Sequence, residues 1–107
     1  MKFKLSGLDR LIIPKLFAER SGLLEQVTVK EINEIIKIQS NEFSDFGLVE
    51  DKDGLLTWDN EKIKIEKEFD LTKPHTILLK SAVDKKDKAN EITQQILETC
   101  LKIQKMR

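Results

Sequence analysis

The chain is poor in the residue types that carry most metal and redox chemistry. Its 107 residues include one cysteine, Cys100, and one histidine, His75. A disulfide framework needs cysteine pairs and a zinc site needs several cysteine or histidine ligands, so the composition excludes the first and argues against the second. We therefore expect no metal and no cofactor. A single cysteine indicates a reducing compartment, and we expect a cytoplasmic protein.

Long apolar runs and an excess of charge of either sign are also lacking. The first apolar run, residues 11–13, stops at Pro14 and is too short for a secretory signal or a membrane span. Nineteen basic and nineteen acidic side chains cancel, so no net field attracts the chain to nucleic acid or to anionic lipid. The length suffices for one hydrophobic core, and we expect a single globular domain over residues 1–107.

The most strongly patterned stretch is residues 47–69. Asp53-Gly54 is typical of a hairpin turn, because glycine adopts a positive φ without steric cost. Short apolar runs at residues 48–49 and 55–58 lie on either side of this turn. They predict two short antiparallel strands.

A third strand is predicted at residues 62–69, where charged and apolar residues alternate. The alternation places Ile63, Ile65 and Phe69 on one buried face. A short alternating run at residues 2–5 would most simply pair with this strand, since a lone short strand is unstable. The centre of the chain is therefore expected to form a small antiparallel β-meander.

Helical patterns precede the meander. Ser6 or Asp9 can start a helix over residues 8–17. Proline cannot donate a backbone hydrogen bond, so Pro14 predicts that this helix ends or kinks near Ile13.

A second helix is predicted over residues 28–39, because Thr28 and Glu31 have the spacing of a capping box. In that motif each side chain accepts a hydrogen bond from the backbone of the other residue. A short helical turn over residues 40–46 would follow, and Gly47 would end it in a left-handed conformation.

Two further helices are predicted after the meander. Thr72 is expected to cap the first, with Pro74 in its first turn, and the polar residues 84–88 are interpreted as its end and a connection. Asn90 or Thr93 would cap the last helix. The apolar stripe of this helix consists of Ile92, Ile96, Cys100 and Ile103. Together these elements predict an α+β fold, in which a small antiparallel β-meander packs against about four helices.

The residues that could be chemically reactive have simple structural interpretations. Cys100 lies on the apolar stripe of the last helix, and we expect it to be buried and inert. His75 has no evident partner and is expected at the surface. The sequence has no recognisable nucleophile with its base and no glycine-rich phosphate loop, so we expect no enzymatic activity.

Five carboxylates surround the predicted hairpin. Asp51-Lys52-Asp53-Gly54 is superficially similar to a calcium-binding loop, but such a loop needs an oxygen ligand at its fifth position and glycine at its sixth. Here glycine is fourth and Leu55 is fifth, so the pattern fails. We interpret the acidic residues as turn formers. They are Glu50, Asp51, Asp53, Asp59 and Glu61.

Trp58 is the only tryptophan and has two interpretations. On a short strand beside a turn, a tryptophan is more often a core anchor than a platform for a ligand. The alternative is a contact with a protein partner, because an aromatic side chain on a sheet with an open edge is a common binding element.

The order of predicted elements resembles a set of small phage proteins without an assigned activity, from viruses of Gram-positive bacteria. The resemblance is carried by residues 2–5, by Gly-Leu-Leu-Thr-Trp-Asp at residues 54–59 with the alternating strand after it, and by closing helices joined at residues 90–93. It implies a phage or prophage origin, location in the cytoplasm of a bacterial host, and no catalytic residue. Pro14 and residues 21–26 depart from the pattern.

Two functions are compatible with these features. The first is a phage-type accessory protein that acts by protein–protein contact with an unidentified phage or host protein. The second is a winged-helix regulator, with helices at residues 8–17, 28–39 and 40–46 and a wing at residues 48–58. Its last helix and wing contain four acidic residues beyond Glu42 but only one base, Lys52. Nucleic-acid binding needs basic side chains on the phosphates, so we favour the contact protein.

Overall fold

The computed structural model describes residues 1–106 and has an α+β architecture, which confirms the predicted fold class. Its main elements in chain order are β1 (Lys2–Ser6), α1 (Gly7–Leu16), α2 (Leu23–Ile36), α3 (Phe43–Phe46), β2 (Val49–Glu50), β3 (Leu56–Thr57), β4 (Glu66–Asp70), α4 (Lys73–Lys88) and α5 (Gln94–Gln104). Short 3-10 turns precede α3 at Ser40–Glu42 and precede β4 at Lys62–Lys64.

The strands form two separate antiparallel sheets of two strands each. β1 pairs with β4 along its full length, as predicted for the N-terminal strand. β2 and β3 form their own ladder, so the three strands of the expected meander are divided between two sheets. The 3-10 turn Lys62–Lys64 causes this division, because it replaces the first part of the predicted long strand. Ile63 in this turn is buried, as predicted, but Ile65 is exposed. The prediction that Ile65 belongs to the buried face is therefore wrong.

α1 begins after Ser6, one of the two predicted starting residues, and Ser6 and Asp9 form a reciprocal capping box. The Ser6 hydroxyl accepts a hydrogen bond from the Asp9 amide (3.1 Å), and the Asp9 carboxylate accepts one from the Ser6 amide (2.9 Å). The helix continues through Pro14 to Leu16, so of the two predicted outcomes, an end or a kink near Ile13, the end is wrong. Pro14 is exposed while Ile13 and Leu16 are buried, and the packing of the last turn therefore offsets the hydrogen bond that proline cannot donate.

α2 begins five residues before the predicted cap. Its first residue is Leu23, and Thr28 lies inside the helix, where its hydroxyl donates to the carbonyl of Leu24 (3.1 Å). The predicted capping box at Thr28 is therefore wrong. The buried residues Ile32 and Ile36 fix the inner face in the second half of the helix, whereas Leu23 and Leu24 in its first turn are exposed.

The remaining helix boundaries agree in part with the sequence. Gly47 ends α3 in the left-handed conformation with φ of 63°, as predicted. Thr72 caps α4, also as predicted, but α4 runs to Lys88, so residues 84–88 are helical rather than a connection. Thr93 is the N-cap residue of α5.

Two apolar clusters organise these elements. The larger cluster joins β1, β4, α1, α2, α4 and α5, and it includes Cys100 and Ile103 as predicted, whereas Ile96 is only partly buried at its border. The smaller cluster consists of Phe46, Leu48 and Ile63. In the part of the chain that the structure describes, no helix has the length and apolar character needed to cross a membrane.

Candidate functional site

The hairpin, residues 48–59, is shaped by Asp51 together with Gly54. The Asp51 carboxylate accepts hydrogen bonds from the amides of Asp53 and Leu55, both at 2.9 Å. The Gly54 amide bonds to the Asp51 carbonyl (3.1 Å), and the φ of Gly54 is 79°. The turn predicted at Asp53-Gly54 is therefore present, and Asp51 is its main side-chain acceptor.

The base of the hairpin is fixed to the helical body. Leu48 is buried, and its amide bonds to the Phe43 carbonyl (2.8 Å). On the other strand the Asp59 amide bonds to the Phe46 carbonyl (3.1 Å). Gly47 packs so closely against this segment that a β-carbon there would lie 2.9 Å from the Asp59 β-carbon. The hairpin consequently projects from a rigid attachment.

Asp59 also caps the 3-10 turn after the hairpin. Its carboxylate accepts hydrogen bonds from the amides of Glu61 (2.8 Å) and Lys62 (3.0 Å). These bonds favour the ionised form and lower the pKa of the Asp59 carboxyl below its usual value. The turn-forming role predicted for the acidic residues is confirmed at Asp51 and Asp59.

The hairpin exposes a concentration of apolar side chains. Val49 is 60% exposed, Leu55 64%, Leu56 39% and Trp58 37%. Trp58 belongs to neither apolar cluster, so the interpretation of this residue as a core anchor is wrong. Exposed apolar groups at this density on a small protein are typical of a contact surface.

One edge of the hairpin offers backbone groups to a partner. Hydrogen-bonded and non-hydrogen-bonded pairs alternate along an antiparallel ladder. The Asp51 amide bonds to the Leu55 carbonyl (3.0 Å), so the next pair, Glu50 with Leu56, is the non-hydrogen-bonded kind. The N–H and C=O of Leu56 therefore point away from β2. Within residues 1–106 no third strand covers that edge.

A groove of about 350 Å³ lies between the hairpin and the helices α1 and α2. The Asn33 side-chain oxygen is buried there and has no hydrogen-bond partner among the described residues. A buried acceptor without a partner is energetically costly. The principal lining residues are Leu11, Pro14, Asn33, Ile38, Phe43 and Leu56.

Arg10 is buried and forms part of the wall of the groove. Its guanidinium donates to both carboxylate oxygens of Glu42 (2.8 and 2.9 Å) and to the carbonyls of Ile36 (2.7 Å) and Lys37 (2.9 Å). It also lies 4.8 Å from the centre of the Phe69 ring. These bonds satisfy the C-terminal carbonyls of α2, so Arg10 is a structural residue.

The hydrogen bonds from Arg10 lower the pKa of the Glu42 carboxyl to about 2. Sequence reasoning missed this pair, because the two residues are 32 positions apart. The available signal for this buried pair was an arginine at a helical position among apolar residues.

A second buried network surrounds Asp9. Its carboxylate accepts hydrogen bonds from the Thr99 hydroxyl (2.6 Å), from the Ser6 amide and from the Lys102 ammonium group. Lys102 also bonds to Glu66 (2.8 Å). Burial raises the pKa of Asp9, but the hydrogen bonds from Lys102, Thr99 and Ser6 outweigh it, and the pKa lies below its usual value. This network joins α1 to α5 and has no nucleophile or free base.

The remaining reactive residues serve the fold. His75 is buried, which corrects its predicted surface position. Its Nδ1 accepts a hydrogen bond from the Thr72 amide (3.1 Å), so it completes the cap of α4. Cys100 is buried as predicted, and burial raises the pKa of its thiol. Residues 1–106 contain no group of three or more side chains able to hold a metal ion.

A second apolar patch lies at the start of α2. Leu23 is 85% exposed, Leu24 80% and Val27 49%. Unlike the hairpin, this patch lies on a helix and therefore offers a partner no strand edge. It provides matched control positions for tests of the hairpin.

Comparison with known proteins provides no further assignment. No protein-family model matches this chain, and no curated protein and no solved structure shows significant similarity to it.

Proposed function

We propose that this protein is a small phage-type accessory protein that acts by binding another protein through the hairpin. The observation that carries the proposal is the set of exposed apolar side chains on a rigidly attached hairpin with an open edge. Proteins rarely leave such features uncovered, because they promote association. Trp58 is the residue proposed to contact the partner.

The attachment of the hairpin supports this role. A mobile segment would lose conformational entropy on binding, which weakens association. The hydrogen bonds at Leu48 and Asp59 already fix both strands at their base. The partner would therefore meet a surface that needs little reorganisation.

Catalysis is not part of the proposal. The two buried polar networks use their donors and acceptors internally, and neither lies in an open cleft with a nucleophile. The winged-helix alternative has weaker support, because Glu42 in its third helix is paired with Arg10 and the wing carries mainly acidic residues.

The test is partner retention by hairpin variants. Purified wild-type protein, Trp58→Ala, Leu55→Ser and the control Leu24→Ser are immobilised and exposed to extract from cells that express the gene. A specific partner should be retained by the wild type and by Leu24→Ser but lost by the two hairpin variants, with unchanged circular dichroism. The same pattern must recur with the partner purified.

Two results would contradict the proposal. One is a purified partner that binds all four proteins equally. The other is micromolar binding to random duplex DNA that weakens steeply with salt, which would support the winged-helix alternative.

A further inference from the structure

The hairpin and the turn after it concentrate negative charge. Five carboxylates and one lysine, Lys52, lie between residues 50 and 61, although the whole chain is neutral. All five are exposed, and every ion pair formed among residues 1–106 lies elsewhere. A cationic partner would therefore gain attraction here without first breaking an existing ion pair.

Apolar and acidic side chains lie next to each other on both faces of the hairpin. The ladder pairs Glu50 with Leu56, so this acidic side chain shares the face of an apolar one. It also pairs the apolar Val49 with Thr57, on the face to which Asp59 belongs. The open edge between these faces carries the free N–H and C=O of Leu56. An added strand would therefore meet both apolar and acidic groups.

We infer that the partner supplies an extended segment that contains both apolar residues and lysine or arginine, and that this segment binds beside β3 as an added strand. Its backbone pairs with Leu56, its apolar side chains contact the exposed apolar groups of the hairpin, and its cationic side chains pair with the exposed carboxylates. The inference rests on the proposed function, since it names the chemistry of the partner that the hairpin binds.

The test uses a fluorescein-labelled peptide, Lys-Leu-Lys-Val-Lys-Leu-Lys, and the full chain. Binding is followed by anisotropy of the label and by fluorescence of Trp58, the only tryptophan. The matched peptide with glutamate in place of lysine should bind at least about tenfold more weakly, because several charge pairs each contribute modestly. Equal binding of the two peptides would overturn the inference.

Backbone methylation separates strand addition from simple charge attraction. In an added strand, alternate amides donate to the neighbouring strand and the others point away. One peptide carries N-methyl groups on its lysine amides and another carries them on its apolar amides. We expect one of the two to lose binding and the other to keep it. Equal binding of both methylated peptides would refute strand addition.

Charge-reversal variants locate the site. One variant combines Glu50→Lys, Asp53→Lys and Glu61→Lys. The acidic side chains that it removes are exposed and form no hydrogen bond in the turns, so the hairpin should stay folded. This variant should bind the cationic peptide at least about tenfold more weakly at low salt. A matched variant reverses three exposed acids elsewhere and should bind like the wild type. Its substitutions are Glu34→Lys, Glu68→Lys and Glu98→Lys. Equal loss in both variants would contradict the inference.

This experiment and the test of the proposed function can fail separately. If a natural partner requires Trp58 but the cationic peptide does not bind, only the inference about partner chemistry is overturned. If the peptide binds through the hairpin but a natural partner binds elsewhere on the protein, the proposed function is overturned and the peptide preference of the hairpin stands.

Discussion

Replacing Arg10 by methionine should destabilise the protein more than most single substitutions. Arg10 is buried and donates four hydrogen bonds, two to Glu42 and two to the last carbonyls of α2. Methionine fills a similar volume but leaves the carboxylate and both carbonyls without these donors. Breaking a buried ion pair by removing one partner typically costs 3–5 kcal/mol, and the partial solvent access of Glu42 places our expectation at about 3 kcal/mol.

The assay is urea unfolding at pH 7, followed by circular dichroism and by Trp58 fluorescence. With an m-value of about 1.5 kcal/mol/M, the expected loss moves the midpoint by about 2 M. Arg10→Lys should recover little, because lysine cannot form the paired bonds that the guanidinium makes with a carboxylate. A loss below about 1 kcal/mol for Arg10→Met would refute the structural role of this residue.

The same pair predicts a pH dependence. Glu42 has a pKa of about 2 in the folded protein against an ordinary value of 4.5, so its ionisation stabilises the fold above pH 4.5, and this contribution is lost as pH falls toward 2. The difference corresponds to at most about 3 kcal/mol, which solvent screening reduces to about 1 to 2 kcal/mol. Arg10→Met should therefore lose less stability than the wild type between pH 5 and pH 2.5. Parallel pH profiles of the two proteins would contradict this assignment.

Three further substitutions test local features of the fold. Ser6→Ala should cost about 1 kcal/mol in urea unfolding, because it removes the cap of α1, whereas Thr28→Ala should change stability by less than about 0.5 kcal/mol, because Thr28 lies inside α2. Equal effects would contradict the observed start of α2. Gly47→Ala should cost at least about 1 kcal/mol, from its left-handed backbone and the contact with Asp59. Cys100 should react with a thiol reagent far more slowly in the native protein than in urea, because it is buried with a raised thiol pKa, and rapid native labelling would refute this.

Local signals in the sequence were sufficient where the structure depends on neighbouring residues. Ser6, Gly47 and Thr72 act as predicted, because capping and positive φ are decided within a few positions. The pairing of β1 with β4 was also predictable from two alternating patterns. The α+β class followed from these elements together.

The failures occur where distant contacts decide the outcome. The Thr28 pattern satisfies the capping rule, but α2 already begins at Leu23 and Thr28 lies inside it. His75 is buried because its ring completes the cap of α4, which a search for metal ligands does not reveal. The partners of Asp9 lie as far as 93 positions away, so the charged networks were not visible in the chain order.

The candidate site was predicted only in part. The hairpin turn, the acidic residues and the alternative role of Trp58 were visible in the sequence. The groove was not, because it needs the tertiary packing of α1 and α2 against the hairpin. The exposure of Leu55 and Leu56 was equally invisible, since a short apolar run does not reveal whether it is buried.

The most direct test of the central claim is photo-crosslinking inside the cells that express the gene. Benzoylphenylalanine replaces Leu55 on the hairpin in one variant and the even more exposed Leu24 on α2 in another. The account predicts that position 55 cross-links to one specific protein while position 24 does not. A specific cross-link from position 24, with none from position 55, would contradict it.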